Sequence, residues 1–349
     1  MASNTSSGRA NYTLVQALRG IAAVWVVLFH TSSAQHVPTL LGALPAWLSA
    51  GLFDSGRFGV AIFFTLSGFV IAHSLSGTIM NGRRFRQFML RRSIRLDPAY
   101  WVSIAIVIAV GVTASTLRDV EYNIPDIITV LAHVAYLQEI LRISGIDVVY
   151  WTLTYEIQFY AVFALAMMVR GHMWPLLAIA ILSAAGMLDI APHGLFVHYW
   201  GAFFIGVLAR HAIEDQRWLL ALGILGALLT IDGWFGAINT ATAALLYISV
   251  RTRWAETGLN WRWLQFLGLI SYSLYLVHNP IISVSAWVSH QVLGTGVAAD
   301  VATLGIVLSA TVAGASILWA LVERPTHRLS RRKTIVSRAK NTTTETLQA

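Results

Sequence analysis

Two ionisable side chains interrupt the apolar run LVQALRGIAAVWVVLFH at residues 14–30: Arg19 and His30. They stand eleven positions apart, about three helical turns plus roughly 20°, so one helical face carries both, about 16 Å apart along the axis. A guanidinium and an imidazole inside a membrane-crossing helix are costly and mark functional positions. Glu156, in WTLTYEIQFY, and His278, in SYSLYLVHNP, fall in two further apolar runs. Unpaired, each would cost several kcal/mol in hydrocarbon, so the three are expected to meet at a common depth. A carboxylate held on one imidazole nitrogen leaves the other a better base. Glu156 is therefore expected to orient His30, which could deprotonate a hydroxyl attacking an activated acyl carbon. Plain hydrogen bonding between helices stays open for each of them, most of all for His278 beside Asn279 and Pro280.

The stretch RRSIR sets Arg92 and Arg95 three positions apart, neighbours on one helical face. Paired guanidiniums suit phosphate groups, because they stay charged and bind oxygens bidentately. Arg83, Arg84 and Arg86 read instead as membrane-surface anchors. Arg19 could contact a phosphate or a pantetheine arm, or pair with a lipid headgroup. Ser67 and Gly68, in TLSGF, read first as close helix packing. Ser67, His73, Trp151 and His278 are the further candidates for lining a site. No phosphate-cradling glycine loop, HExxH cluster or G-x-S-x-G elbow occurs.

The elements that position these residues follow from composition. The 349 residues are 56% hydrophobic and 11% charged, with mean hydropathy +0.65, whereas a soluble domain carries about a quarter charged residues. Repeated apolar runs predict an all-α polytopic membrane protein, because hydrocarbon satisfies no open backbone groups. The net charge of +8 reads as cytoplasmic loops rather than nucleic-acid binding. The chain has no cysteine, which excludes thiolate chemistry. No metal site and no bound cofactor are expected.

Ten spans are predicted, at about 14–34, 57–75, 98–117, 150–169, 174–190, 195–212, 218–231, 234–250, 264–284 and 297–322. The arginine-rich loop containing Arg83, Arg84, Arg86, Arg91, Arg92 and Arg95 belongs in the cytoplasm, which places both termini there. Residues 118–149 form the main excursion on the other side, and its middle, IPDIITVLAHVAYLQEIL, has amphipathic periodicity. One transmembrane domain over 1–330 and a basic, partly disordered cytoplasmic tail over 331–349 are expected, without a cleavable leader.

Taken together, ALRGIAAVWVVLFH, FGVAIFFTLSGFVI, RRSIRLDPAYW, WTLTYEIQFY, SYSLYLVHNP and the ERP at 323–325 make the chain resemble the membrane acyltransferase-3 family. These proteins O-acylate sugars, exopolysaccharides, lipopolysaccharide, Nod factors and macrolides. The resemblance implies about ten membrane helices and a cytoplasmic acyl-CoA donor. It also implies His30 as the essential catalytic residue, with Arg19, Arg92 and Arg95 serving the donor or the architecture of the site. Two positions depart from the family pattern: Ala61, where many members are polar, and Gln16, where many are acidic. The chain ends too soon for the fused SGNH domain of some relatives. The expected function is O-acyl transfer in the cytoplasmic membrane, from acyl-CoA, acetyl-CoA by default, to a hydroxyl of a carbohydrate or other extracytoplasmic acceptor. The alternative is a secondary transporter or flippase using the same intramembrane groups as a proton relay.

Overall fold

The computed structural model describes residues 12–118 and 121–330; the tail expected over 331–349 lies outside them. Among the described residues every regular element is helical. The apolar opening run forms α1 (Thr13–Ser33). The outer segment that follows holds two short helices, α2 (Pro38–Ala43) with its proline at the N-terminus and α3 (Ala46–Leu52). A 3-10 turn over Asp54–Phe58 then feeds α4 (Gly59–Leu75).

The arginine-rich loop is the main departure from the sequence reading. It is the beginning of a single 37-residue helix, α5 (Gly82–Arg118), which continues through Pro98. Pro98 lacks only the N–H that would reach the carbonyl of Ile94, and the remaining bonds carry the helix past it. At its start Asn81 Oδ1 accepts from the Arg84 amide at 3.0 Å, which closes the first turn. Arg92 and Arg95 therefore ride on a rigid helix rather than a loop.

Most of the amphipathic stretch in the outer excursion is turn. Only α6 (Ile127–Val134) is helical there, capped by Asp126. Then follow α7 (Trp151–Ala166), α8 (Met173–Ala184), a 3-10 turn over Phe196–Tyr199, and α9 (Trp200–Glu214). After these come α10 (Trp218–Ile231), α11 (Trp234–Arg251), α12 (Arg262–Leu293) and α13 (Val297–Leu318). The last helix passes through a π turn at Trp319–Glu323. Among the described residues, five helical runs are long and apolar enough to cross a membrane: Thr13–Ser33, Ala46–Leu75, Gly82–Leu117, Arg262–Leu293 and Val297–Ser330. Large apolar side chains such as Leu220, Ile231, Ile317 and Leu321 are exposed on the bundle's outside, as a surface facing lipid requires.

Two crossings at small residues set the positions of the functional side chains. Helices α1 and α12 run parallel, with Gln265 Nε2 donating to the Thr13 carbonyl at 2.9 Å and His290 contacting the His36 carbonyl at the far end. A Cβ on Gly268 would lie 1.9 Å from the Gln16 carbonyl oxygen. That closeness brings Arg19 beside Ser271 and His30 beside His278. Helices α4 and α9 also run parallel, in contact at Gly68 and Gly206. A Cβ added at these glycines would lie 1.8 Å from the Phe203 oxygen and 2.0 Å from the Thr65 oxygen, respectively. The packing role read for Gly68 is thus the one it has, and Ser67 faces elsewhere.

Gly206→Leu should drive backbone from backbone and cost about 1–3 kcal/mol. Gly223→Leu should be nearly neutral, since nothing lies within 4 Å of that position. Unfolding of the two variants in detergent, read by circular dichroism, checks the contrast; equal stability would contradict the crossing.

Candidate active site

The three arginines converge on one cavity inside the bundle. It holds about 810 Å³ of atom-free space including its mouth. Arg19 from α1, Ser67 from α4, Arg92 and Arg95 from α5, Glu156 and Tyr160 from α7, and Ser271, Tyr272 and Tyr275 from α12 line it. Arg19 Nε donates to Ser271 Oγ at 3.2 Å. The Arg92 guanidinium stacks over the rings of Tyr160 and Phe88, 4.7 and 5.6 Å from their centroids. Neither Arg92 nor Arg95 donates a hydrogen bond to a described residue, so their N–H groups are left for a ligand with phosphate-like oxygens.

Glu156 belongs to this cavity and not to the imidazoles. Its Oε1 accepts from Ser67 Oγ at 2.7 Å and from the Tyr160 hydroxyl, and no described hydrogen bond or ion pair joins it to His30. The expected Glu156–His30 pairing is therefore corrected. Glu156 stands on the second turn of α7, whereas His30 lies three residues from the outer end of α1. A second carboxylate, Glu323, is buried close to the arginines without lining the cavity. It is 6% exposed, accepts from Ser273 Oγ at 2.7 Å, and lies within electrostatic reach of Arg19 and Arg95. Sequence reading passed over it, although ERP was a visible motif; the π turn that carries Glu323 gives no periodic signal.

The imidazoles form a separate cluster, near the C-terminal end of α1. The rings of His30 and His278 lie 5.0 Å apart. His278 is fully buried, its Nδ1 is 2.7 Å from the Tyr275 carbonyl, and its Nε2 has no partner. A carbonyl can only accept, so Nδ1 carries the proton and Nε2 is a bare acceptor beside His30. The carboxylate near this pair is Asp147, from the excursion before α7, in electrostatic contact with His30. Burial pushes its carboxyl up, against hydrogen bonds from Asn279 Nδ2 at 2.7 Å and the Val149 amide at 3.1 Å. The place of Asp147 beside the histidines depends on a turn that no pattern in the sequence foretells.

Asp147 also lines a second cavity, with Trp151 and Glu139. Tyr275 stands between the two cavities. Its hydroxyl lies 2.9 Å from Thr152 Oγ1 and donates to the Val149 carbonyl at 3.1 Å. Its ring is 5.8 Å from His278. His30 is half-buried and borders neither cavity, so it meets this partition through His278. His73 lies apart from both: its Nδ1 accepts from Arg210 Nε at 3.1 Å, and its ring packs on Tyr12.

Residues 14–322 match the acyltransferase-3 family model, described as an acyltransferase domain, and the chain belongs to that family. It is an acyltransferase with helices suited to a membrane. It is similar to the exopolysaccharide production protein ExoZ of Rhizobium meliloti (strain 1021), 26% identical over 82% of this chain and 94% of that one. Nodulation protein 10 of Rhizobium leguminosarum bv. viciae is 27% identical over 96% and 97% of the two chains. BcsY of Komagataeibacter xylinus, described as a candidate membrane-bound transacylase, is 25% identical over 89% and 81%. No solved structure matches the chain.

Glu323→Leu should orphan the Ser273 hydroxyl and remove a counter-charge from Arg19 and Arg95. The expected loss is about 2 kcal/mol of unfolding free energy, with Glu323→Gln losing less because it keeps an acceptor. Denaturant titration in micelles checks this ordering, and a stable leucine variant would contradict the structural role of Glu323.

Proposed function

We propose that the protein is an O-acyltransferase of the cytoplasmic membrane that moves an acyl group, acetyl by default, from cytoplasmic acyl-CoA to a hydroxyl of an extracytoplasmic glycan. In this reading all ten predicted spans cross the bilayer and both termini are cytoplasmic. One observation carries it: a cavity lined by Arg92 and Arg95, whose N–H groups meet no acceptor among the described residues, is also lined by Tyr275, whose ring lies 5.8 Å from that of His278. Diphosphate oxygens of the donor suit the two guanidiniums, and the pantetheine arm would follow Arg19 toward Tyr275. Names of the relatives, with exopolysaccharide production among them, support a glycan as acceptor. The transporter alternative gains nothing from the family match.

Within this reading His30 is the base. Its ring lies 5.0 Å from that of His278, and in the neutral imidazole one nitrogen is free to take the proton of an acceptor hydroxyl. The hydroxyl oxygen then attacks the thioester carbonyl, an O–C bond forms, the C–S bond breaks, and the leaving CoA thiolate takes up the proton held by His30. A transient acyl group on His30 would split the same exchange in two. Glu156 and Tyr160 hold Arg92 in place for the donor, and Asp147 stabilises the protonated histidine. For the thioester to reach His30 the hydrogen bonds of Tyr275 to Thr152 and Val149 must open.

His30→Ala, inserted at normal level, should abolish acyl-CoA-dependent ester formation on surface glycans, measured by mass spectrometry; transfer that persists would sink the proposal. Arg92→Ala combined with Arg95→Ala should raise the half-saturating acyl-CoA concentration by tenfold or more, on the order of one charge-assisted contact each. The acceptor requirement should hardly move, and an unchanged donor requirement would reject the phosphate role.

A further inference from the structure

The outer cavity has no assigned occupant, and its lining is chemically specific. Trp151, Tyr155 and Tyr199 form one aromatic wall, with ring centroids 5.2 Å apart for Trp151–Tyr199 and 4.8 Å for Tyr155–Tyr199. Facing them are Glu139, Asp147 and His193. Neither arginine nor lysine contributes to the lining, in contrast with the inner cavity. The cavity volume is about 360 Å³, within the roughly 300–1,000 Å³ of small-ligand clefts.

We propose that this cavity is the acceptor site and that it binds an uncharged hexose unit of a glycan. The inference rests on the acyl-transfer reading and adds the residues and the class of sugar. A pyranose has apolar C–H faces and a rim of hydroxyls, so it needs a flat ring to stack on and acceptors around its edge. Trp151 and Tyr199 are half-buried, and the indole N–H and the phenol hydroxyl have no hydrogen-bond partner among the described residues, so each has a polar edge to offer a sugar as well as a ring face. Glu139 and Asp147 can accept sugar hydroxyls. With no arginine or lysine in the wall and only His193 beside Glu139, the two carboxylates disfavour uronic acids and phosphosugars, which sets the preference for neutral units.

The wall is built in advance of any ligand. Gln158 on α7 clamps the loop before α9 from both sides, donating to the Gly194 carbonyl at 2.7 Å and accepting from the Phe196 amide at 2.7 Å. Gly194 has φ +84°, and a Cβ there would lie 2.5 Å from the Glu139 carbonyl carbon, so only glycine lets this loop seat against the carboxylate-bearing turn. Position completes the case. Asp147 lines this cavity and lies within electrostatic reach of His30, so a sugar stacked on Trp151 shares a neighbour with the histidine pair.

The test uses the full chain in lipid nanodiscs, with acetyl-, propionyl- and succinyl-CoA as donors. The acceptor is the lipid-linked glycan extracted from membranes of the producing cell. Trp151→Ala and Tyr199→Ala should each raise the half-saturating acceptor concentration about tenfold, as expected for losing one stacking contact, with the donor requirement within about twofold of wild type. Trp151→Phe should recover most of the loss, and Trp47→Ala, an exposed tryptophan elsewhere, should change nothing. Adding neutral gluco-oligosaccharide should compete, while an oligogalacturonide of equal length should not. Unchanged acceptor dependence in Trp151→Ala, or competition by the charged oligomer alone, overturns the proposal while transfer by wild type stands. A wild type inert with every donor overturns the underlying acyl-transfer reading instead.

Discussion

Everything about this bundle depends on placing guanidinium groups inside an apolar protein. Arg19, Arg92 and Arg95 share one cavity, and each would be prohibitive in hydrocarbon without compensation. The compensation is visible residue by residue. Ser271 accepts from Arg19, the Tyr160 and Phe88 rings receive Arg92, and Glu156 and Glu323 supply negative charge on opposite sides. Both carboxylates are tied to serines of other helices, Ser67 and Ser273. The cationic cavity therefore fixes how α1, α4, α7, α12 and the π turn after α13 sit around α5. The π turn itself is accounted for in this way: it points Glu323 inward where an ordinary helical turn would carry the residue past.

Much of this was legible in the sequence, and the reasons are local. Apolar length and the arginine cluster announce helices in a membrane, and the eleven-residue spacing of Arg19 and His30 holds because α1 is unbroken. The RRSIR spacing holds for the same reason, even though the segment is helix rather than loop. What failed was depth. Glu156 and His30 are each a few residues from the outer end of a helix, but the offset between α7 and α1 is set by loops, and loops carry no periodic signal. The carboxylate near the histidines comes from such a loop, at Asp147. Glu323 was hidden in a three-residue motif whose meaning rests on a tertiary contact with Ser273.

The division of the interior into two cavities gives the chemistry its logic. One is cationic and the other is aromatic and acidic, so the two suit ligands of different character. Tyr275 separates them with two hydrogen bonds and touches His278, which in turn lies against His30. In the proposed reaction the histidine pair sits at the only step where the two sides need to communicate. His30 is half-buried and lies outside both cavities, so in the proposed reaction the thioester reaches it when the tyrosine moves.

Sidedness is the most direct measurement. Inside-out and right-side-out membrane vesicles containing the protein would be given radiolabelled acetyl-CoA on the external face only, with glycan acceptor present on both sides. Labelled ester should form in inside-out vesicles alone, on glycan in the lumen. Equal labelling in right-side-out vesicles, or ester confined to the face that received acetyl-CoA, would contradict a path on which donor and acceptor meet from opposite sides.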